Sequence, residues 1–181
     1  GDVNADAELD VNDIVMMVSH IIDGWYSFDS CELLVGDVYT DNAVNILDVI
    51  LVVETIMYGD LARTDEILNA APSKLEFIQR SNSLGYIADK PGLIGFELVL
   101  SHGHDFSIEL NEESFIGNYN TSENETKIII VMEGGSELFT TTGKFEIEEM
   151  MIGTTNGVLL DVAITIIPDE NTLERAYPNP F

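Results

Sequence analysis

The chain of 181 residues has a single cysteine, Cys31, and only 7 Lys and Arg residues against 33 Asp and Glu residues. One cysteine excludes an internal disulfide and any cysteine-based metal motif. The net charge of -26 argues against nucleic acid and against anionic membrane as partners, because both require basic patches. No stretch reaches the roughly 18 apolar residues of a membrane span, so we predict no membrane insertion. With 45% hydrophobic residues, the chain can nevertheless bury a core.

The charge is unevenly distributed along the chain. The first 60 residues contain thirteen acidic residues and no Lys or Arg, and all basic residues lie between Arg63 and Arg175. Such a segment repels itself unless cations bind to it. Solubility in a salty medium is the alternative explanation of the overall charge, but it does not explain the spacing described next.

The acidic segment contains a repeat with a period of 35 residues, from Asp2–Asp13 to Asp37–Asp48. In both copies, oxygen-bearing side chains occupy the first, third, fifth, ninth and twelfth loop places, except that Tyr39 stands at the third place of the second copy. This is the spacing of a loop that wraps a hard cation. We predict two Ca²⁺ sites. The predicted ligands are Asp2, Asn4, Asp6, Glu8, Asp10 and Asp13 in loop one, and Asp37, Asp41, Ala43, Asn45 and Asp48 in loop two, with Glu8 and Ala43 acting through backbone carbonyls.

The two loops differ at two informative places. Tyr39 occupies the third place of loop two, where a phenol is a poor calcium ligand, so we predict that loop two binds Ca²⁺ more weakly. At the sixth place, which normally holds Gly, Ala7 would resist a left-handed backbone while Asn42 tolerates it. A pair of acidic turns without metal is the alternative.

Each loop runs into a segment with helical character, Val11–Asp23 and Ile46–Tyr58, and both are apolar nearly all round. A surface helix needs only one apolar stripe, and pairing the two helices hides one face of each. The surplus apolar residues need a further cover, which a partner protein or the chain's own remaining residues can supply. Extra core residues in a small compact domain are the alternative. This surplus includes Met16, Met17, Ile50, Val52 and Met57.

From residue 74 onward the pattern changes to short runs of period two between Gly, Asn and Ser turns, as in Phe96, Leu98 and Leu100. This pattern predicts an antiparallel β-sandwich. The predicted strands are Leu75–Gln79, Gly85–Ala88, Ile94–Ser101, Phe106–Leu110, Lys127–Met132, Gly143–Met151 and Val158–Ile167.

The duplicated Gly-Asp-Val-Asn-x-Asp…Asp-x-x-Asp-Ile/Val pattern of residues 1–60 resembles dockerin modules. The resemblance implies a calcium-dependent adhesion module that binds cohesins, which are β-sandwich domains of extracellular polysaccharide-degrading complexes. It places the partner contacts just before the last ligand of each loop. There this chain has Val11-Asn12 and Ile46-Leu47, which are more apolar than the Ser/Thr pairs of many cellulosomal dockerins. Together with the surplus apolar residues, the predicted partner surface is Val11, Asn12, Met16, Met17, Ile46, Leu47, Ile50 and Met57.

Residues 74–168 resemble a cohesin-like sandwich, through strands such as Gly95–Leu98 and Gly143–Ile147. The expected fold class is therefore α+β: a small helical, dockerin-like calcium-binding domain (1–60), a connector (61–73) with a helical turn from Thr64, and an antiparallel, cohesin-like β-sandwich (74–168). The resemblance implies docking of the helices on a cohesin-like sandwich, either within the chain or between copies.

The last residues, Ala176-Tyr-Pro-Asn-Pro-Phe181, resemble the start of the C-terminal sorting domain of type IX secreted bacterial proteins. Residues 169–181 are accordingly expected to be a linker to such a domain. The resemblance implies a secreted or cell-surface bacterial protein in a polysaccharide-degradation or surface-assembly setting.

The residues leave two other functions open and argue against catalysis. A carbohydrate-binding sandwich with a calcium-stapled appendage would need exposed aromatics, and this zone has Tyr and Phe but no Trp. A purely structural calcium-stapled spacer is the other alternative. We predict no enzyme activity, because His102, His104 and Asp105 stand too close together for a nucleophile triad and no G-x-S-x-G motif is present.

Overall fold

In the described residues, the helices precede the strands along the chain. The computed structural model describes residues 1–23, 27–59, 71–134, 137–159 and 161–167. The helices are α1 (Val11–Asp23), α2 (Ser30–Gly36) and α3 (Ile46–Tyr58). The strands are β1 (Leu75–Arg80), β2 (Ser83–Ala88), β3 (Leu93–His102), β4 (Ser107–Leu110), β5 (Ile116–Ser122), β6 (Glu125–Glu133), β7 (Glu137–Thr142), β8 (Phe145–Thr154), β9 (Gly157–Val158) and β10 (Val162–Ile166).

The strands form two five-stranded sheets, which confirms the predicted fold class of a small helical part followed by a β-sandwich. The first sheet has the order β10-β1-β2-β7-β4, and the second has the order β5-β6-β3-β8-β9. All pairings are antiparallel except that between β1 and β10, where Leu75 pairs with Val162 in parallel. We call the second sheet the helix-bearing sheet, because α1 and α3 pack on its outer face.

Period-two alternation determines which residues fill the sandwich. On β3, the buried residues Ile94, Phe96, Leu98 and Leu100 point between the two sheets, as the sequence pattern predicted. They meet aromatic residues of both sheets, including Phe77, whose ring centroid lies 5.9 Å from that of Phe96. The rest of this core includes Leu75, Leu84, Tyr86, Ile128, Ile130, Leu138, Phe139 and Phe145.

The residues in between face outward from the helix-bearing sheet, and several of them are buried as well. Leu93, Ile129 and Val131 belong to a second apolar cluster that contains Ile14 and Val18 of α1 and Val49 and Val53 of α3. The centre of β6 is therefore buried on both faces, and it reads as a continuous apolar run from Ile128 to Met132. Among the described residues, no helix is both long and apolar enough to span a bilayer.

Two strands and a helix were not predicted, and one predicted strand was wrong. β5 and β7 lack apolar alternation, because β5 is a polar edge strand and β7 is rich in Thr. The predicted Val158–Ile167 strand is two strands, since β9 belongs to the helix-bearing sheet and β10 to the other.

The connector between the two loop-helix copies carries the helix that was not predicted. It contains α2, which starts with a capping box in which Asp29 and Glu32 each bond the other's backbone N–H. Phe28 is buried in the helical cluster. Trp25, Tyr26, the predicted helical turn from Thr64, and the 169–181 linker lie outside the described residues.

Candidate calcium loops and docking face

The two predicted calcium loops have the same internal hydrogen-bond pattern. The first carboxylate of each loop accepts backbone N–H groups four and five residues on: Asp2 from Asp6 and Ala7 at 3.2 and 3.0 Å, and Asp37 from Asp41 and Asn42 at 3.0 and 2.9 Å. The spacing of the repeat therefore corresponds to a repeated backbone shape, in which the first carboxylate organises the turn.

The last carboxylate of each loop is fully buried and closes the loop from the other side. Asp48 accepts the N–H of Tyr39 and that of Asn45, both at 2.8 Å. Asp13 accepts the N–H of Asn4 at 3.3 Å and that of Asp10 at 2.9 Å, so the equivalent places donate in both loops. An Asp at the twelfth place is thus fixed at the first turn of the helix that follows.

Left-handed backbone occurs at the same two places in both loops. The sixth place has φ of 71° at Ala7 and 72° at Asn42, as a sharp turn there requires. The fourth place, which the sequence did not single out, has φ of 57° at Ala5 and 64° at Thr40. Ala5, Ala7 and Thr40 each cost roughly 1–2 kcal/mol in this conformation, so other interactions must hold the loops in this shape.

Three carboxylates converge in loop two. Oxygens of Asp37, Asp41 and Asp48 lie within 4.8 Å of one another. Two oxygens bound to one Ca²⁺ at about 2.3–2.6 Å are at most about 5 Å apart, so this spacing fits a calcium ion. In the part of the chain that the structure describes, no other group of three or more His, Cys, Asp or Glu side chains meets this spacing.

Burial raises the pKa of Asp48, and the neighbouring Asp41 and Asp37 charges raise it further, while the backbone N–H bonds from Tyr39 and Asn45 lower it. The site therefore concentrates negative charge around a desolvated carboxylate. A divalent cation at this point would offset both the burial and the repulsion.

Most of the remaining predicted ligands lie at the loop surfaces, while Asn45 is buried. Asp6 and Glu8 are exposed, and Asp2, Asn4 and Asp10 are half-buried. In loop two, Asn45 accepts the N–H of Leu47 and thereby caps α3. The exposed Ala43 donates its N–H to Asp41.

The start of α3 packs on two facing glycines of the helix-bearing sheet, and we call this contact the α3 seat. Gly95 of β3 is the register partner of Gly153 of β8. A Cβ at Gly95 would lie 2.6 Å from Ile46 Cγ1, and one at Gly153 would lie 2.7 Å from Ile50 Cδ1 and 2.8 Å from Leu47 Cδ2. These three α3 side chains are at most 2% exposed, and each contributes roughly 1.5–3 kcal/mol by burial.

Polar contacts flank this apolar seat. The Ile46 N–H donates to Glu97 Oε2 at 3.2 Å, and the Thr155 hydroxyl donates to Glu54 of α3. At the end of α1, the Asn120 side chain donates to the Ile22 carbonyl at 3.4 Å. Burial raises the pKa of Glu97 and Glu149 adds to the effect, while the bond from Ile46 and the charge of Lys127 lower it.

The other residues of the predicted partner surface lie elsewhere. Met17 is buried between the helices, Met16 is half-buried, and Val11, Asn12 and Met57 are exposed. Val11 and Met57 line an open apolar groove of about 380 Å³ between α1, α3 and the start of β5. The structure thus separates the predicted surface into a buried seat at α3 and an exposed groove at α1.

The aromatic residues that a carbohydrate-binding surface would need are mostly buried inside the sandwich. Tyr86, Phe96, Phe139 and Phe145 are buried, whereas Phe115 and Tyr119 are exposed. His102 stacks on Phe106 with ring centroids 3.8 Å apart, and its Nε2 lies 2.8 Å from the Thr126 hydroxyl.

Several residues of the contact between the helices and the helix-bearing sheet were not predicted from the sequence. Gly95 and Gly153 interrupt apolar strands, and a glycine inside a strand is a signal for close approach of another chain segment. Glu97 occupies an outward strand place that would otherwise be expected to face water. Nothing in the sequence pairs Glu54 with Thr155, because their contact depends on how the helices lie on the sheet.

No family model matches the chain, and no curated protein matches it. Two solved structures are similar to it. A non-cellulosomal cohesin from the hyperthermophilic archaeon Archaeoglobus fulgidus has 18% identity, covers 53% of this chain and 88% of its own, and has a TM-score of 0.39. A chain of the type I cohesin–dockerin complex Coh-OlpC–Doc435 from Clostridium thermocellum has 11% identity, covers 54% of this chain and 96% of its own, and also has a TM-score of 0.39.

Proposed function

We propose that this chain is a calcium-dependent protein-interaction module in which a dockerin-like loop-helix pair, residues 1–60, docks on a β-sandwich of the same chain, residues 74–168. The observation that carries the proposal is the position of the docking residues. Ile46 and Leu47 lie between Asn45 and Asp48 of loop two, and both are buried at the facing glycines Gly95 and Gly153. The geometry of the loop and the geometry of the contact therefore depend on each other.

Calcium has a defined role in this proposal. The first turn of α3 contains Asp48, and bound Ca²⁺ would hold Asp37, Asp41 and Asp48 together against their repulsion. A site that hardly exists in the unfolded chain makes metal binding a source of folding free energy. Calcium would thereby fix the start of α3 in the orientation that seats Ile46 on the sheet.

The apolar character of α3 supports docking within the chain. All residues from Ile46 to Glu54 are buried, because one side of α3 faces α1 and the other faces the helix-bearing sheet. An external partner would have to displace this contact to reach the same residues. The dockerin resemblance supports a secreted or cell-surface bacterial setting, in polysaccharide degradation or surface assembly.

Calcium titration of the whole chain by calorimetry, with thermal melts, tests the proposal. We expect two binding events and a melting temperature that rises with calcium concentration, since a ligand of the native state stabilises that state. Absence of binding heat together with an unchanged melting temperature would overturn the proposal. Magnesium serves as the control ion, because its small size and octahedral geometry fit such loops poorly.

A further inference from the structure

Tyr39 occupies a ligand place of loop two but directs its side chain to the sandwich. Its backbone matches that of Asn4 in loop one, since each N–H donates to the last carboxylate of its own loop. The side chains differ in their contacts, since the Asn4 amide donates to Asp6 within its own loop at 3.0 Å. The Tyr39 ring instead lies against Gly157, at the start of β9.

The contact at Gly157 requires a glycine. A Cβ there would lie 3.2 Å from Tyr39 Cζ and closer still to the hydroxyl oxygen. Gly157 also has φ of 101°, a conformation that glycine adopts readily. The turn from Thr154 to Gly157 is therefore shaped to receive the aromatic ring.

The same turn is held by α3. Thr155 is 5% exposed and donates its hydroxyl to Glu54, while the Thr154 hydroxyl bonds the Gly157 carbonyl at 3.4 Å. Loop two and α3 thus contact one four-residue turn from two sides. This turn joins β8, which carries Gly153 of the α3 seat, to β9.

We propose that Tyr39 is a docking residue at a calcium-ligand place, so that loop two gives up one ligand for a contact with the β8–β9 turn. The inference rests on the proposed function. It makes loop two the part of the repeat specialised for docking and loop one the part with the fuller ligand set. It also predicts that calcium affinity and docking respond in opposite directions to one substitution.

Tyr39→Asp in the full chain is the test. Calorimetry should show tighter calcium binding at loop two, by about tenfold, because a third-place carboxylate is restored. Asn4→Asp is the matched control, since it adds the same ligand type in loop one. Docking is measured at saturating calcium in a Cys31→Ser background by thiol labelling of Ile129→Cys, a position buried under the helices.

We expect the thiol at Ile129→Cys to be labelled several-fold faster when Tyr39→Asp is present than in the parent. Asn4→Asp should leave the labelling rate unchanged. Tighter calcium binding with unchanged labelling would overturn the inference and leave the proposed function standing. Faster labelling without tighter binding would show that the third place is no ligand place, and would also overturn it. Calcium-independent labelling of the parent itself would instead refute the proposed function.

Gly157→Ala is a second test variant. It introduces backbone strain and a steric overlap with Tyr39, and these two effects can be separated. Alone, it should speed labelling through both the positive φ and the overlap with Tyr39. In a Tyr39→Ala background only the strain remains, so the effect should shrink. Equal effects in both backgrounds would mean that Tyr39 and Gly157 are not coupled, which contradicts the inference.

Discussion

At the scale of single residues, Asp48 connects loop two, the candidate calcium loop, to α3. It is fully buried, accepts two backbone N–H groups of its loop and lies in the first turn of α3. Asp48→Asn keeps the size of the side chain but removes the charge that a calcium ion would need. We expect loop two to lose at least about tenfold in calcium affinity, because affinity follows ligand charge.

Calorimetry measures this effect, and Asp105→Asn is the control because it changes the net charge equally at an exposed site outside the loops. The control should bind calcium like the parent. Equal affinity of Asp48→Asn and Asp105→Asn would show that Asp48 is not a ligand.

Glu97 gives the docking face a pH dependence. Burial raises its pKa above the ordinary value of 4.5, so the folded state favours the protonated form. The resulting stabilisation is fully present below that ordinary value and is lost as pH rises through the raised pKa. Glu97→Gln has no charge to bury, so at saturating calcium its melting temperature should exceed that of the parent at about pH 7.

At about pH 4 the two proteins should melt at nearly the same temperature, because Glu97 is then largely protonated. Thermal melts of both proteins across this pH range supply the comparison. A melting-temperature difference that does not change with pH would contradict the role given to the buried carboxylate.

At the scale of elements, the α3 seat depends on two strand glycines that leave room for Ile46, Leu47 and Ile50. Gly95→Ala places a methyl group 2.6 Å from Ile46 Cγ1, and Ile46 is fully buried, so its β-branched side chain has little room to rotate away. We expect a loss of about 1–3 kcal/mol in the free energy of unfolding, as in other overpacked cores.

Urea denaturation in saturating calcium measures this loss. Gly103→Ala, just past the end of β3, is the control, because an added Cβ there meets nothing within 4 Å. We expect only Gly95→Ala to lower the free energy of unfolding. Equal stability of the two variants would mean that α3 does not rest on β3.

The elements differ in how far the sequence predicts them. The loops were predictable because their hydrogen bonds join residues at most about ten places apart, so spacing alone defines them. Strands such as β3 were predictable from alternation. β5 was not, because its edge position leaves most of its side chains exposed. The seat of α3 depends on the register that sets Gly95 beside Gly153, and register is a property of the whole sheet.

At the scale of the whole molecule, two apolar clusters meet across one sheet. The core between the sheets contains Ile128 and Ile130, and the cluster under the helices contains Ile129 and Val131 of the same strand. The helix-bearing sheet is thus shared by both halves of the chain. Because the net charge is -26 and the first 60 residues contain no Lys or Arg, we expect bound cations to stabilise the helical part in this compact arrangement.

The neighbouring residues Ile128 and Ile129 allow the central claim, calcium-dependent docking within the chain, to be measured directly. In a Cys31→Ser background, thiol labelling of Ile129→Cys reports the space under the helices, while Ile128→Cys reports the space between the sheets. We expect chelation of calcium to speed labelling at Ile129→Cys several-fold and to leave Ile128→Cys protected. Equal protection of Ile129→Cys with and without calcium would contradict it.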